Sequence, residues 1–267
     1  MRITVCAVFL ACALGGLLGR CEAQSDPEYL ATKFAGRLKP SNSWQLSIRE
    51  PAARPKDPVQ QALRAARDRY ADKVLGAHMP LDEMADKGLG YGEGGPSYSR
   101  IPDAVPEFPN RTVLVAQFTD FEVVLSDSRS AIYTELHLSV ERILDSSVSH
   151  SPGTTITAIV NGGTVKLAGG RVLQFHASPR AFVPVPGGRY IFFLRRVPEG
   201  EFYLIAKSIE LRDGKALPNS ADDVDRAEHG TWPFLDQEED LALRELDRRL
   251  RSQERGSKLR LQAGSGW

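Results

Sequence analysis

The sequence predicts a mainly β protein with flanking helices (α+β), in which five to seven strands form a small antiparallel barrel. From Thr112 onward apolar and polar residues alternate with a period of two, and glycine-rich turn signals separate the alternating runs. Nothing between the runs is long and periodic enough to be the crossover helix that parallel strands need. A segment of this length fits a barrel of the OB kind, and a β-sandwich is the alternative.

The first 23 residues have the layout of a secretory signal peptide. A positive start at Met1-Arg2 precedes a 16-residue apolar run, and Cys21 and Ala23 place small residues before a cleavage site. We therefore expect an exported chain, periplasmic or extracellular. An uncleaved anchor is disfavoured because the run is shorter than the roughly 20 residues of a spanning helix. A lipid anchor at Cys21 is disfavoured because Arg20 occupies a position that usually holds a small residue.

Cysteine use and charge restrict the chemistry of the mature chain. All three cysteines lie in the signal segment, so the mature chain is cysteine-free and has no disulfide, thiol nucleophile or thiolate metal site. It carries 32 basic and 33 acidic residues. Such a balance gives no general attraction to nucleic acid or to an anionic membrane, and no later segment is apolar enough to span a bilayer.

Six segments follow from composition and periodicity. They are a signal peptide (1–23), an irregular proline-containing arm (24–57), an amphipathic helix (58–76), a Gly/Pro-rich linker (77–110), the β-barrel domain (111–218), and a loop, C-terminal helix and tail (219–267). Asp57 and Pro58 supply the helix N-terminus. A narrow leucine stripe ending at Leu250 marks the second helix, after which we expect a frayed tail from Gly256.

Within the barrel segment, glycines predict the turns. Hairpins are expected at Asn161-Gly162-Gly163, at Gly169-Gly170 and at Asp213-Gly214. Residues 132–141 alternate so that one face, carrying Glu135 and His137, meets water.

The run 190–194 is apolar on both faces, so another element must cover its outer side. We expect the helix at 58–76 to do this, because its own apolar stripe lacks another partner; a strand packed from both sides in a sandwich is the alternative.

Chemical motifs are weak throughout the sequence. The five histidines lack metal-binding spacing, and Glu135 with His137 forms one same-face pair, which fits a metal or acid–base site less well than a solvated strand face. The glycines at 90–95 match a dinucleotide fingerprint but no helix follows them. The serines around Asp127 are typical of a loop, and the acidic run 222–225 lacks the pattern of a calcium loop. We therefore assign no catalytic, cofactor-binding or metal-binding residue and expect no cofactor.

Four sequence segments resemble those of a known family: "YTELHLSVERIL", "ITAIVNGGTV", "GGRYIFFL" and "GEFYLIAKSIELRDGKALP". They resemble an uncharacterised family of exported bacterial proteins with an OB-like barrel akin to netrin and metalloproteinase-inhibitor modules. The resemblance covers Val113 to Pro218 and contains no catalytic signature. Those inhibitors act through an N-terminal disulfide-bound cysteine, which this mature chain lacks, so no functional residue is carried over.

The sequence favours an exported, non-enzymatic module that binds a protein or an envelope component. The alternatives are a secreted hydrolase, in which His137 or His176 would face carboxylates in a concave cluster, and a barrel that binds polysaccharide or nucleic acid. Arginines and aromatic residues mixed between Phe175 and Arg196 motivate the last alternative, although core aromatics flanked by solubilising arginines explain them better. Ligand and oligomeric state are left open.

Overall fold

A computed structural model describes residues 48–74, 76–77, 79–86, 110–146, 150–176, 184–217 and 237–264, without the side chains of 85, 175–176, 254 and 256–264. Three helices and seven strands form within these residues. They are α1 (Pro58–Val74), α2 (Leu81–Asp86), β1 (Arg111–Leu125), β2 (Ile132–Ser146), β3 (Thr155–Lys166), β4 (Val172–His176), β5 (Arg189–Val197), β6 (Phe202–Arg212), β7 (Lys215–Leu217) and α3 (Glu239–Gly264).

Five strands close into a barrel in the order β1-β2-β3-β6-β5, and β5 returns to β1. β4 and β7 extend the sheet beyond β3 and β6. Six of the seven pairings are antiparallel as expected, and the closing β3–β6 pairing is parallel and short, with Ala158 opposite Tyr203. The mainly β barrel with flanking helices is therefore confirmed, and the sandwich alternative is wrong because a closed sheet has no second sheet facing it.

Glycines form tight turns between strands of this sheet and also bend one strand, β3. Gly169-Gly170 and Asp213-Gly214 form tight turns with positive φ, as predicted. The hairpin predicted at Asn161-Gly162-Gly163 is wrong, because β3 runs through it and changes partner from β2 to β4. At Gly163 φ is +149°, and a Cβ there would lie 2.5 Å from Cγ1 of Val123. These glycines bend a strand at a barrel corner.

The barrel interior is filled by apolar side chains from all five closing strands. Phe118, Leu136, Ala158, Phe192 and Tyr203 belong to this core, and each is buried. Tyr190 is also buried here and accepts a hydrogen bond from the backbone N–H of Val185, and burial raises its pKa to about 12.

Helix α3 covers the outer face of β5. Its buried side chains Leu243, Leu246 and Leu250 pack in one cluster with Ile191 and Phe193. The prediction that the helix at 58–76 covers this strand is therefore wrong. The narrow leucine stripe is compatible with one-sided docking or with a mostly solvated helix, and the structure shows the former. The helix continues to Gly264, through most of the tail that was expected to fray.

Helix α1 instead covers β2, β3 and β6 close to the β1–β2 turn. Ala71 packs with Tyr133, Ile159 and Phe202 in a separate cluster. Asp57 caps the helix as predicted, accepting a hydrogen bond from the N–H of Gln60 at 2.9 Å.

The segments flanking α1 differ from their predictions where they are described. The segment predicted as a linker contains α2, and the last residues of the predicted arm bind the barrel, because the N–H of Ala52 donates to the carbonyl of Val123 at 2.9 Å. Residues 1–47, with the predicted signal peptide and Cys21, lie outside the described residues. Within the described part of the chain, each helix is too short or too polar to cross a bilayer.

Candidate ligand-binding cleft

The face of α1 that meets the barrel is charged. Glu135 on β2 accepts a hydrogen bond from Nε of Arg67 at 2.8 Å, and Nε of Arg64 lies 3.1 Å from the same oxygen. All three side chains are almost fully buried, with exposures of 3%, 6% and 8% for Glu135, Arg67 and Arg64. The prediction that Glu135 lies on a wet strand face is wrong, because α1 lies over it.

A second buried polar contact holds the same helix. The hydroxyl of Tyr133 donates a hydrogen bond to Asp68 at 2.7 Å. Burial raises the pKa of Asp68 and also that of Tyr133. A carboxylate shielded from water in this way is held ionised only at a free-energy cost, which the tyrosine hydrogen bond and the Arg64 charge partly offset.

Helix α1 thereby occupies the surface of β2 and β3 between two turns. OB barrels bind oligonucleotides and oligosaccharides on this surface, between the β1–β2 turn and the turn that here lies between β5 and β6. Tyr70 of α1 packs edge-on against Phe202 at 5.2 Å, beside that second turn. An extended polymer therefore has no access to the part of this surface under α1 while the helix is docked.

An open cleft of about 510 Å³ lies next to α1. Four other segments border it: the end of the arm, α2, the β1–β2 turn and the β3–β4 turn. Val124, Leu125 and Leu167 are the larger apolar residues of its lining; Val124 is buried, and Leu125 and Leu167 are half-buried. Five cationic and three acidic side chains line it, which are Arg54, Arg64, Arg129, Lys166, Arg171, Asp68, Asp82 and Asp127. We call it the arginine cleft.

The β1–β2 turn is held by the last turn of α1 and by the start of α2. The hydroxyls of Ser128 and Ser130 donate to Asp72 at 2.6 and 2.9 Å, and the carbonyl of Arg129 accepts from the N–H of Leu81 at 2.8 Å. Arg129 adopts the left-handed conformation, with φ of 61°. The turn therefore has one defined shape that directs Arg129 toward α2.

The arm forms the opposite wall in an extended conformation. Arg49 pairs with β3 through its own backbone, donating to Thr164 and accepting from Lys166. Its guanidinium lies 3.9 Å above the ring of Phe121. Further along the arm, Arg54 reaches Asp127 in the β1–β2 turn at 2.6 Å.

Ion pairs in the cleft differ in how firmly they are held. Asp82 is shared, with Nη2 of Arg129 at 2.9 Å and Nη2 of Arg171 at 3.9 Å, and its hydrogen bond with Arg129 lowers its pKa. The outer pairs are more exposed. The side chains of Arg54 and Asp127 are 77% and 50% exposed, and those of Arg171 and Asp86 are 39% and 65% exposed. Lys166 has no ion pair within the described residues.

A second polar cluster lies at the other end of β1. The hydroxyl of Thr112 lies 3.1 Å from that of Ser146 and also bonds to Tyr203, which in turn bonds to His150. Burial and the charge of Arg196 lower the pKa of His150. These contacts explain how the loop after β2 is tied to the barrel, and they pair the imidazole with a phenol and not with a carboxylate.

The residues singled out in the sequence do not converge. His137 is half-buried, and within the described residues no group of three or more His, Cys, Asp and Glu side chains is arranged to hold a metal. His78, His229, the side chain of His176, the glycines at 90–95 and the acidic run 222–225 lie outside what the structure describes. Among the mixed basic and aromatic residues, Phe192 is in the core, and Arg189 binds Glu141 and Glu239.

Sequence reasoning missed the arginine cleft entirely. Its cations come from positions 54 to 171, and each looks like an ordinary surface charge in its own segment. The left-handed Arg129 lies in a serine-rich turn, which indicates loop structure without indicating its neighbours.

Searches with protein-family models and against curated proteins find no match to this chain.

Proposed function

We propose that the chain is an exported, non-enzymatic OB-like module that binds a protein or a cell-envelope component through the arginine cleft. The observation that carries the proposal is the cleft itself, a concave surface that combines half-buried Leu125 and Leu167 with exchangeable charges at its rim. Ligands commonly bind in concave surfaces of a few hundred Å³ at which polar groups converge. The signal-like residues 1–23 support export, and the four sequence segments support membership of the exported bacterial family that they resemble.

The chemistry of the lining favours binding over catalysis. Its ionisable groups are arginines, one lysine and aspartates, of which Arg54 pairs with Asp127 and Arg129 with Asp82, and the histidines that are described lie elsewhere. Catalysis by the alternative hydrolase needs a base that faces a nucleophile or a water. The cleft offers recognition chemistry, with guanidinium groups that bind oxyanions in a fixed geometry.

Affinity capture with the mature chain from Gln24 tests this proposal. Ala168, which is exposed in the β3–β4 turn and lines the cleft, is replaced by Trp to fill it. The control is Leu241→Trp, because Leu241 is 49% exposed on α3, which packs on the opposite β1–β5–β6 face. Both proteins and the wild type are incubated with envelope and secreted fractions of the producing cell.

The proposal predicts a partner that the wild type and the Leu241→Trp variant retain at moderate salt and that the Ala168→Trp variant loses. Equal retention by both variants, or no retained component with the wild type, would contradict it. Export is tested on the native chain in the same cell fractions. The proposal expects this chain to be present in the envelope or secreted fraction and to begin at Gln24.

A further inference from the structure

We propose that the arginine cleft recognises an acidic peptide segment of a protein partner, one that carries an apolar side chain between its carboxylates. This inference rests on the proposed function and specifies the chemistry of its ligand.

The first argument is that these guanidinium groups already bind carboxylates. Arg54 binds Asp127, Arg129 binds Asp82 through both Nε and Nη2, and Arg171 binds Asp86. A guanidinium matches the planar carboxylate with two parallel donors, so the side-chain orientations that hold these aspartates also suit carboxylates from another chain.

The second argument is that the outer pairs are exchangeable. Arg54 is 77% exposed and Asp127 50% exposed, and Asp86 is 65% exposed. Pairs at such exposure add little to stability, so a ligand carboxylate can replace Asp127 or Asp86 at small cost. Lys166, exposed on the same rim, adds a cation without an ion pair in the described part of the chain.

The third argument is that the guanidinium groups in the inner part of the cleft are held rigidly. The Arg64 side chain is only 8% exposed and is held between Glu122 and Glu135, and Arg129 is fixed by its turn. Five cationic and three acidic side chains line the cleft, and the partners of Arg64 and Arg171 outside the lining, which are Glu122, Glu135 and Asp86, offset this excess of cations. Preorganised charges lose little entropy when a ligand binds.

The fourth argument selects a peptide among anions. Leu125 and Leu167 in the lining are half-buried and keep some exposed apolar surface, which a peptide side chain can cover and an inorganic polyanion cannot. The near-neutral net charge of the chain lacks the long-range attraction on which nucleic-acid binding depends.

Fluorescence anisotropy with the full mature chain tests the proposal. The probe is a labelled Asp-Leu-Asp-Leu-Asp peptide, and the competitors are the unlabelled peptide, its Asn-Leu-Asn-Leu-Asn counterpart and inorganic tripolyphosphate. The test variant combines Arg54→Gln, at an exposed position, with Arg171→Gln, at a partly exposed one. The control is Arg248→Gln, at an arginine 68% exposed on α3. Thermal unfolding verifies that all three proteins are folded.

The proposal predicts saturable binding that weakens as salt is added and is about tenfold weaker in the double variant. The Arg248→Gln variant keeps the wild-type affinity within about twofold. Equal competition by the Asn peptide or by tripolyphosphate, equal loss in Arg248→Gln, or no binding up to about 1 mM peptide overturns it. A partner captured by the wild type and by the Arg54/Arg171 variant, but lost with Ala168→Trp, overturns this inference and leaves the proposed function standing.

Discussion

Glu135 provides the sharpest test of how α1 is attached to the barrel. Its carboxylate is 3% exposed and lies between two buried arginines, Arg64 and Arg67. Replacing it with Gln keeps the side-chain shape but removes the negative charge that both guanidinium groups face. Breaking a buried ion pair in this way costs about 3–5 kcal/mol, because the remaining cation is left desolvated.

The neighbouring strand supplies a matched control. Glu122 is the direct cross-strand partner of Glu135 and contacts the same Arg64 at 3.1 Å, but its side chain is 47% exposed. Glu122→Gln should therefore cost no more than about 1 kcal/mol. Residue type, guanidinium partner and sheet position are shared, so burial is what separates the two substitutions.

Thermal unfolding by circular dichroism measures the difference. In a domain of this size, each kcal/mol shifts the midpoint by about 2–4 °C, so we expect a decrease of about 6–20 °C for Glu135→Gln and at most about 4 °C for Glu122→Gln. Hydrogen exchange should also accelerate selectively in residues 58–74 of the first variant. Equal midpoints for the two variants would refute the buried network as the attachment of α1.

Three further predictions concern other parts of the fold. Burial raises the pKa of Asp68, so the native state binds this proton more tightly than the unfolded chain does. The resulting contribution to stability is fully present below pH 3.8 and is lost as the pH rises through the raised pKa. Urea unfolding from about pH 4 to pH 7 should show wild type losing stability relative to Asp68→Asn, and a pH-independent difference would contradict this. Leu246→Ala should lower the free energy of unfolding by about 2–5 kcal/mol, because Leu246 is fully buried between α3 and the barrel. Leu241→Ala, at an exposed position of the same helix, should lower it little. A small loss for both variants would mean that α3 does not cover β5. Gly163→Ala should destabilise the barrel more than Gly169→Ala in the same assay. Both glycines have positive φ, but only at Gly163 would an added Cβ lie 2.5 Å from Val123. The reverse order would contradict the close packing assigned to the bend at Gly163.

Local patterns predicted much of this fold because their causes are local. Alternation along β2 follows from one face packing inside the barrel, and the Asp57 cap depends on its own first helical turn. The turns at Gly169-Gly170 and Asp213-Gly214 need positive φ wherever they occur. These elements could be read from a few adjacent residues.

The errors arose where a distant segment decides the outcome. Gly162-Gly163 has the same local chemistry as a hairpin turn, and only the exchange of strand partners from β2 to β4 makes it a bend. The docking of α1 uses buried Arg64 and Arg67, which a search for apolar stripes counts as surface residues. For the same reason the arginine cleft could not be predicted, because it forms only when the arm, α2 and two turns come together.

The most direct test of the central proposal is a chemical-shift titration of the isotope-labelled mature chain with the Asp-Leu-Asp-Leu-Asp peptide. Binding in the arginine cleft predicts saturable shifts concentrated in the three segments that supply most of its lining, 51–54, 126–129 and 166–171. Shifts concentrated on α3, or no shifts at concentrations that would saturate the site, would contradict the assignment of the cleft as the binding surface.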